Sequence, residues 1–278
     1  MMDIIEILKV LVFGIVEGFT EWLPISSTGH MILLEEIIPL TVSSEFKEMF
    51  RVVIQLGAIM AVLVLYFHRL NPFSQTKNLK QKKVTLYLWV KILIACLPAA
   101  VFGLLFDDWM DAHLMNSYVV AAMLILYGIF FLVIERWNEE RVPVVDNTGQ
   151  MSCQLAFCIG MFQVLSLIPG TSRSGATILG AMILGCSRGV AAEFSFFLGI
   201  PVMFGASLLK IVKFGFSFTP AEIFYLIFGM LVAFLVSVYS IKFLMGYIRR
   251  NNFTVYGYYR IGLGVIVLLY FGISALVA

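Results

Sequence analysis

Long apolar runs separated by short polar breaks set the pattern of most of this chain. Six runs, over 49–68, 85–106, 116–135, 190–212, 220–245 and 255–277, approach the ~20 apolar residues that cross a bilayer as a helix. Two other apolar regions, 3–39 and 151–186, are interrupted near the middle. The first is broken by Leu23-Pro24-Ile25-Ser26-Ser27-Thr28-Gly29, the second by Pro169-Gly170-Thr171-Ser172-Arg173-Ser174-Gly175. Proline and glycine stop helices at such places. Each region therefore predicts a helix–loop–helix hairpin that enters the membrane and returns on the same side. Such non-helical backbone is tolerated at depth only inside protein or beside water.

The two broken regions resemble each other. At an offset of 146 residues, Gly14, Ser26, Gly29, Ile32 and Leu33 fall on Gly160, Ser172, Gly175, Ile178 and Leu179, and Glu17 falls on Gln163. Each hairpin is followed by three spans. An odd number of crossings between them inverts the second half relative to the first. The expected fold is thus an all-α polytopic membrane protein, six transmembrane helices plus two re-entrant hairpins. It forms one membrane domain over 1–278, with inverted-topology repeats at 1–140 and 151–278, a plan common in secondary transporters.

Composition agrees, since 61% of residues are hydrophobic and only 13% charged, far from the balance of a soluble domain. A net charge of +2 gives no field for nucleic acid. The four cysteines have neither zinc nor disulfide spacing. Arg69, Lys77, Lys80, Lys82 and Lys83 follow the first span, and Arg249 and Arg250 precede the last. In this topology both groups share one face, which the positive-inside rule makes cytoplasmic. Asp107, Asp108 and Asp111 then fall outside, and the first hairpin opens outward. Pro201 predicts a kink in the fourth span, and Tyr256, Tyr258 and Tyr259 an interfacial belt.

The polar residues of the hairpins carry the chemistry. Glu17 and Glu21, four apart, share a helix face. Carboxylates facing lipid would be very costly, so they should face a cavity or a cation. Two such oxygen donors suit Mg2+ or Ca2+, or an acid–base pair. Ser26, Ser27, Thr28 and Gly29 precede an apolar helix and offer either ordinary caps or an anion-binding nest. His30 can serve as base, acid or nucleophile. Arg173, among Thr171, Ser172, Ser174 and Gly175, suits a phosphate, which it can bind bidentately. Glu193 and Ser195 are placed to support the second loop. If the inverted repeat brings the loops together, the parts of a phosphoryl-transfer site meet at one point. A site built into a membrane fold suits a lipid-linked phosphate.

EGFTEWLPISSTGH with PGTSRSGAT resembles the undecaprenyl-diphosphate phosphatases, or bacitracin-resistance proteins, of bacterial inner membranes. The resemblance extends over essentially the whole chain. It implies hydrolysis of undecaprenyl diphosphate to undecaprenyl phosphate and inorganic phosphate, which recycles the carrier lipid of the cell wall. It also implies a divalent cation, an interdigitated inverted-repeat fold and an active site on the extracytoplasmic side. The family's glutamate motif maps onto Glu17 and Glu21, its serine–histidine element onto Ser26, Ser27, Thr28 and His30, and its arginine onto Arg173. The nucleophile stays open between Ser27, slightly favoured, His30 and a water. A lipid-phosphate carrier or flippase using the same loops is the rival reading. The partners expected are an isoprenoid diphosphate lipid and the bilayer, with a homodimer left open.

Overall fold

The computed structural model describes residues 3–215 and 217–277, without the side chains of Asp107, Asp108, Asp111 and residues 275–277. The chain folds into helices α1 (Ile4–Thr20), α2 (Ser27–Ile37), α3 (Ser44–Leu65), α4 (Phe67–Leu70), α5 (Leu79–Leu114), α6 (Ser117–Trp137), α7 (Cys153–Val164), α8 (Arg173–Ile183), α9 (Arg188–Phe214), α10 (Pro220–Tyr247) and α11 (Thr254–Val277), with a 3-10 turn at Leu165–Leu167. Six of them, α3, α5, α6, α9, α10 and α11, are long and apolar enough to cross a membrane, and they coincide with the six expected runs. The protein is a multi-pass membrane protein. Pro201 lies within the unbroken run of α9.

Both broken regions form short helix pairs, α1–α2 and α7–α8. Their breaks share one geometry. Ser26 (φ 73°) and Ser172 (φ 72°) are the two non-glycine residues with positive φ among those described, and they stand at equivalent positions of the offset. Each caps the helix that follows, accepting from Gly29 N (3.3 Å) and Gly175 N (3.2 Å). A side chain rarely adopts such a φ, so two identical exceptions mark loops held by their surroundings. Ser172→Gly should relieve the backbone while losing the cap, and Ser172→Ala should lose the cap and keep the strain. Thermal unfolding in detergent should therefore rank alanine below glycine by about 1 kcal/mol.

The halves interlock. α1 packs on α10 of the second half, and α7, its counterpart, packs on α5 of the first; α3 meets α9 and α6 meets α11. Exchanging the halves preserves these pairings. In lipid no hydrophobic force presses helices together, so close packing must hold them. Small residues permit it. A Cβ on Gly160 of α7 would lie 2.2 Å from Ala95 O of α5, and one on Gly14 of α1 would lie 2.8 Å from Val232 Cβ of α10. Gly160→Val should part α7 from α5. Overpacking of this kind costs about 1–3 kcal/mol, which a lowered thermal midpoint would report.

At the end bearing the α10–α11 turn, Glu135 of α6 is buried and accepts from Arg188 Nε at 3.0 Å and Phe253 N at 2.8 Å. This ties α6, α9 and the turn together. Of the expected interfacial belt, Tyr258 and Tyr259 are exposed, at 64% and 46%, whereas Tyr256 is buried against Tyr247 and Phe253. The turn brings Tyr256 against Phe253 and the last residue of α10, Tyr247.

Candidate active site

The two loops meet as the sequence predicts. Arg173, first residue of α8, extends its guanidinium between two partners. Nη2 donates to Glu21 Oε1 at 3.0 Å and Nη1 to Ser195 O of α9 at 2.6 Å. The other carboxylate oxygen, Glu21 Oε2, accepts from Ser27 Oγ at 2.7 Å. Ser174 Oγ reaches Glu21 O at 3.2 Å, and Thr177 Oγ1 bonds Ser195 Oγ at 2.8 Å. Hydroxyl, carboxylate and guanidinium thus form one chain, with all three residues at least nine-tenths buried at the side chain or residue level. A serine hydroxyl on a carboxylate has the form of an activated nucleophile with its base.

Glu17, one turn before Glu21, is 1% exposed. Its Oε1, Thr171 Oγ1, Arg173 Nε and Trp22 Nε1 have no hydrogen-bond partner. Buried polar atoms are normally paired, so a cluster of exceptions beside an ion pair is where a polar ligand belongs. The carboxylate donor set also fits a hard cation. Among the described residues no group of three or more His, Cys, Asp or Glu is placed to hold a metal. Glu17 and Glu21 alone would leave ligand positions for phosphate oxygens, as Mg2+ sites commonly do.

The structure places His30 to one side of this chain. Its Nδ1 faces Ser26 O at 2.8 Å and its Nε2 faces Tyr259 OH at 2.7 Å, with the two rings stacked. The carbonyl fixes the proton on Nδ1, leaving Nε2 of the neutral ring as an acceptor. Thr28 is exposed, whereas Ser26, Gly29 and Gly175 are buried, the glycine N–H groups being used by the serine caps. Ser172 Oγ lies 3.1 Å from Ser174 Oγ.

His30 also marks the edge of a groove of about 390 Å3, lined mainly by apolar atoms of Val16, Phe19, Leu23, Ile25, Tyr247 and Tyr259. It runs between α1, α10 and α11. A wall of aliphatic and aromatic groups beside a buried polar cluster has the shape an amphipathic ligand requires.

Sequence reasoning missed two residues. Arg260 of α11 is 0% exposed and donates to the carbonyls of Pro24 (3.1 Å), Gly170 (2.9 Å) and Thr171 (2.9 Å), with longer bonds to Met123 and Leu124. It joins both loops through one guanidinium. Tyr259, expected at the interface, also orients His30 through its hydroxyl.

Residues 10–266 match the protein family described as bacitracin resistance protein BacA. The chain belongs to this family. It is 59% identical over 267 residues to the undecaprenyl-diphosphatase of Acetivibrio thermocellus, covering 96% of this chain and 98% of the relative. Identity to the undecaprenyl-diphosphatase of Enterococcus faecalis strain V583 is 60% over 265 residues, 94% of this chain and 96% of the relative. With that of Desulfitobacterium hafniense it is 57% over 277 residues, 99% and 100%. These likenesses run through both loops and all six spans.

Proposed function

We propose that this BacA-family chain is a membrane phosphatase that hydrolyses undecaprenyl diphosphate to undecaprenyl phosphate and inorganic phosphate. One observation carries this reading beyond likeness: Ser27 Oγ, Glu21 and Arg173 form a single hydrogen-bonded chain across the two loops. A carrier must bind a phosphate, but it has no need of a serine seated on a carboxylate.

The diphosphate head enters between the loops, and the isoprenoid tail lies along the groove beside His30. Phosphate oxygens compete for the Arg173 guanidinium, which remains anchored on Ser195 O. Glu21 Oε1 is then freed from the guanidinium, while Oε2 keeps the Ser27 hydroxyl. Ser27 Oγ attacks the terminal phosphorus as its proton passes to Glu21. The bridging P–O bond breaks, and undecaprenyl phosphate departs. Water then cleaves the phosphoserine, giving inorganic phosphate and restoring the Ser27 hydroxyl. His30, turned by Ser26 O and Tyr259, borders the path of the tail and fixes the entrance. Glu17 and Glu21 would hold Mg2+ or Ca2+ together with diphosphate oxygens. Such a cation, when bound, offsets the charge on those oxygens.

The equivalent strained serines and exchangeable helix pairings support inverted-topology repeats at 1–140 and 151–278, with two re-entrant hairpins. The basic loops Arg69–Lys83 and Arg249–Arg250 support a site facing outward from a bacterial inner membrane. Overproduction should then raise bacitracin resistance.

Phosphate release from farnesyl diphosphate by the purified protein tests the reaction. Release should stop with EDTA and return with Mg2+. Ser27→Ala should lose at least about 10^2-fold in rate, and no phosphoenzyme should form in it. A phosphoenzyme on His30, with Ser27→Ala still active, would overturn the choice of nucleophile. Lipid transfer between vesicles without phosphate release would favour the carrier.

A further inference from the structure

A cavity with basic walls lies away from the catalytic loops. Helix α4, the loop at 76–77, the first turns of α5 and the turn at 147–149 line this cavity of about 830 Å3. Its walls carry Arg69, Lys77, Lys80, Lys83, Lys91 and His68, and no carboxylate lines it. Arg69 is paired, reaching Glu193 of α9 at 2.6 Å and Thr148 Oγ1 at 2.7 Å. The four lysines pair with no carboxylate among the described residues.

Two of these ammonium groups are held in place by neutral acceptors. Lys77 Nζ donates to Asn71 O at 2.9 Å and Thr85 Oγ1 at 2.8 Å. Lys91, only 1% exposed, donates to Thr148 O at 3.0 Å and Gly149 O at 3.3 Å, and sits 4.5 Å from the centre of the Tyr87 ring. Carbonyls and a ring face orient a cation without cancelling its charge. Buried charges are ordinarily paired with an opposite charge, and Lys91 has no carboxylate partner among the described residues, which leaves room for an anion that enters the cavity. The positive-inside rule accounts for lysines on a loop, but not for one buried in α5 at the floor of a cavity.

We propose that this cavity binds a phosphate ester head group. The volume is within the ~300–1,000 Å3 of small-ligand sites. Lysines act as point-charge partners of phosphate, and basic pockets between membrane helices take lipid head groups. The ester is either an anionic phospholipid of the same bilayer or a soluble phosphate ester. The site is separate from Arg173. Helix α9 links the two, since its Glu193 meets Arg69 and its Ser195 meets Arg173.

Full-length protein in nanodiscs of phosphatidylcholine with or without phosphatidylglycerol tests this, alongside the double variant Lys80→Gln/Lys83→Gln. Both side chains are exposed, so the variant should fold, and phosphate release should match the unaltered protein. After delipidation, phosphatidylglycerol retained by the double variant, measured by native mass spectrometry, should fall by about twentyfold. Glycerol 3-phosphate, followed by thermal shift, is the soluble arm. Retention of the lipid alone assigns the site to the membrane, and stabilisation by glycerol 3-phosphate alone assigns it to a soluble ester. Lys91→Gln should abolish whichever is seen; if it fails to fold, Lys77→Gln replaces it. Equal lipid retention and equal response to glycerol 3-phosphate in the double variant and the unaltered protein would overturn the proposal.

Discussion

Arg173→Ala should slow phosphate release by roughly 10^3-fold or more, the scale on which a lost charge-stabilising donor acts in a closed site. The guanidinium spans Glu21 Oε1 and Ser195 O, so its removal has two effects. It takes away the cation that meets the incoming diphosphate. It also leaves Glu17 and Glu21 as neighbouring buried carboxylates that repel an anionic substrate. Breaking a buried pair by deleting one partner costs about 3–5 kcal/mol, so thermal unfolding must be followed beside the rate. Arg173→Lys should not restore the rate. A single ammonium has no planar fork with which to hold Ser195 O and serve a phosphate together. Rates for either variant within tenfold of the unaltered enzyme would remove Arg173 from the site.

Arg260→Met should cost nearly as much by a different route. The side chain is fully buried and donates to carbonyls on both loops and on α6. Methionine fills the space but takes the donor from the loop carbonyls of Pro24, Gly170 and Thr171. Each buried carbonyl so orphaned costs about 1–3 kcal/mol, though some of the total is returned because a buried charge has also gone. The loops should lose their register. A fall in kcat larger than the change in KM, with partial recovery in Arg260→Lys, would identify Arg260 as a positioning residue. Full activity with only a lower thermal midpoint would restrict it to stability.

Much of this arrangement is legible in the sequence, for physical reasons. Hydropathy marks the six spans because lipid leaves a helix no other choice. Pro24 and Pro169–Gly170 mark the breaks because nothing else stops helices so well. The meeting of Glu21 with Arg173 follows from parity of crossings and from the cost of leaving either charge alone. Arg260 is different. It sits in Gly257-Tyr258-Tyr259-Arg260, which reads as an interfacial anchor, and its partners are carbonyls, which leave no mark in a sequence. The same holds for His30. Its position is visible, but its direction is set by Ser26 O and by Tyr259, more than two hundred residues away. Lys91 is likewise silent, because one lysine in an apolar run does not reveal the depth of its burial.

The seam between α1 and α10 has a consequence for inhibitors. A Cβ on Gly18 would lie 2.5 Å from Ala233 O, so these backbones already touch. The groove beside His30 has α1 and α10 among its walls, and their spacing is fixed by main chain rather than by side chains that can rotate away. A compound seated there meets two walls, α1 and α10, that cannot draw closer together. Cross-section, more than length, should therefore decide which hydrocarbon tails are accepted, and bulky substituents belong at the open end of a ligand rather than along its stem.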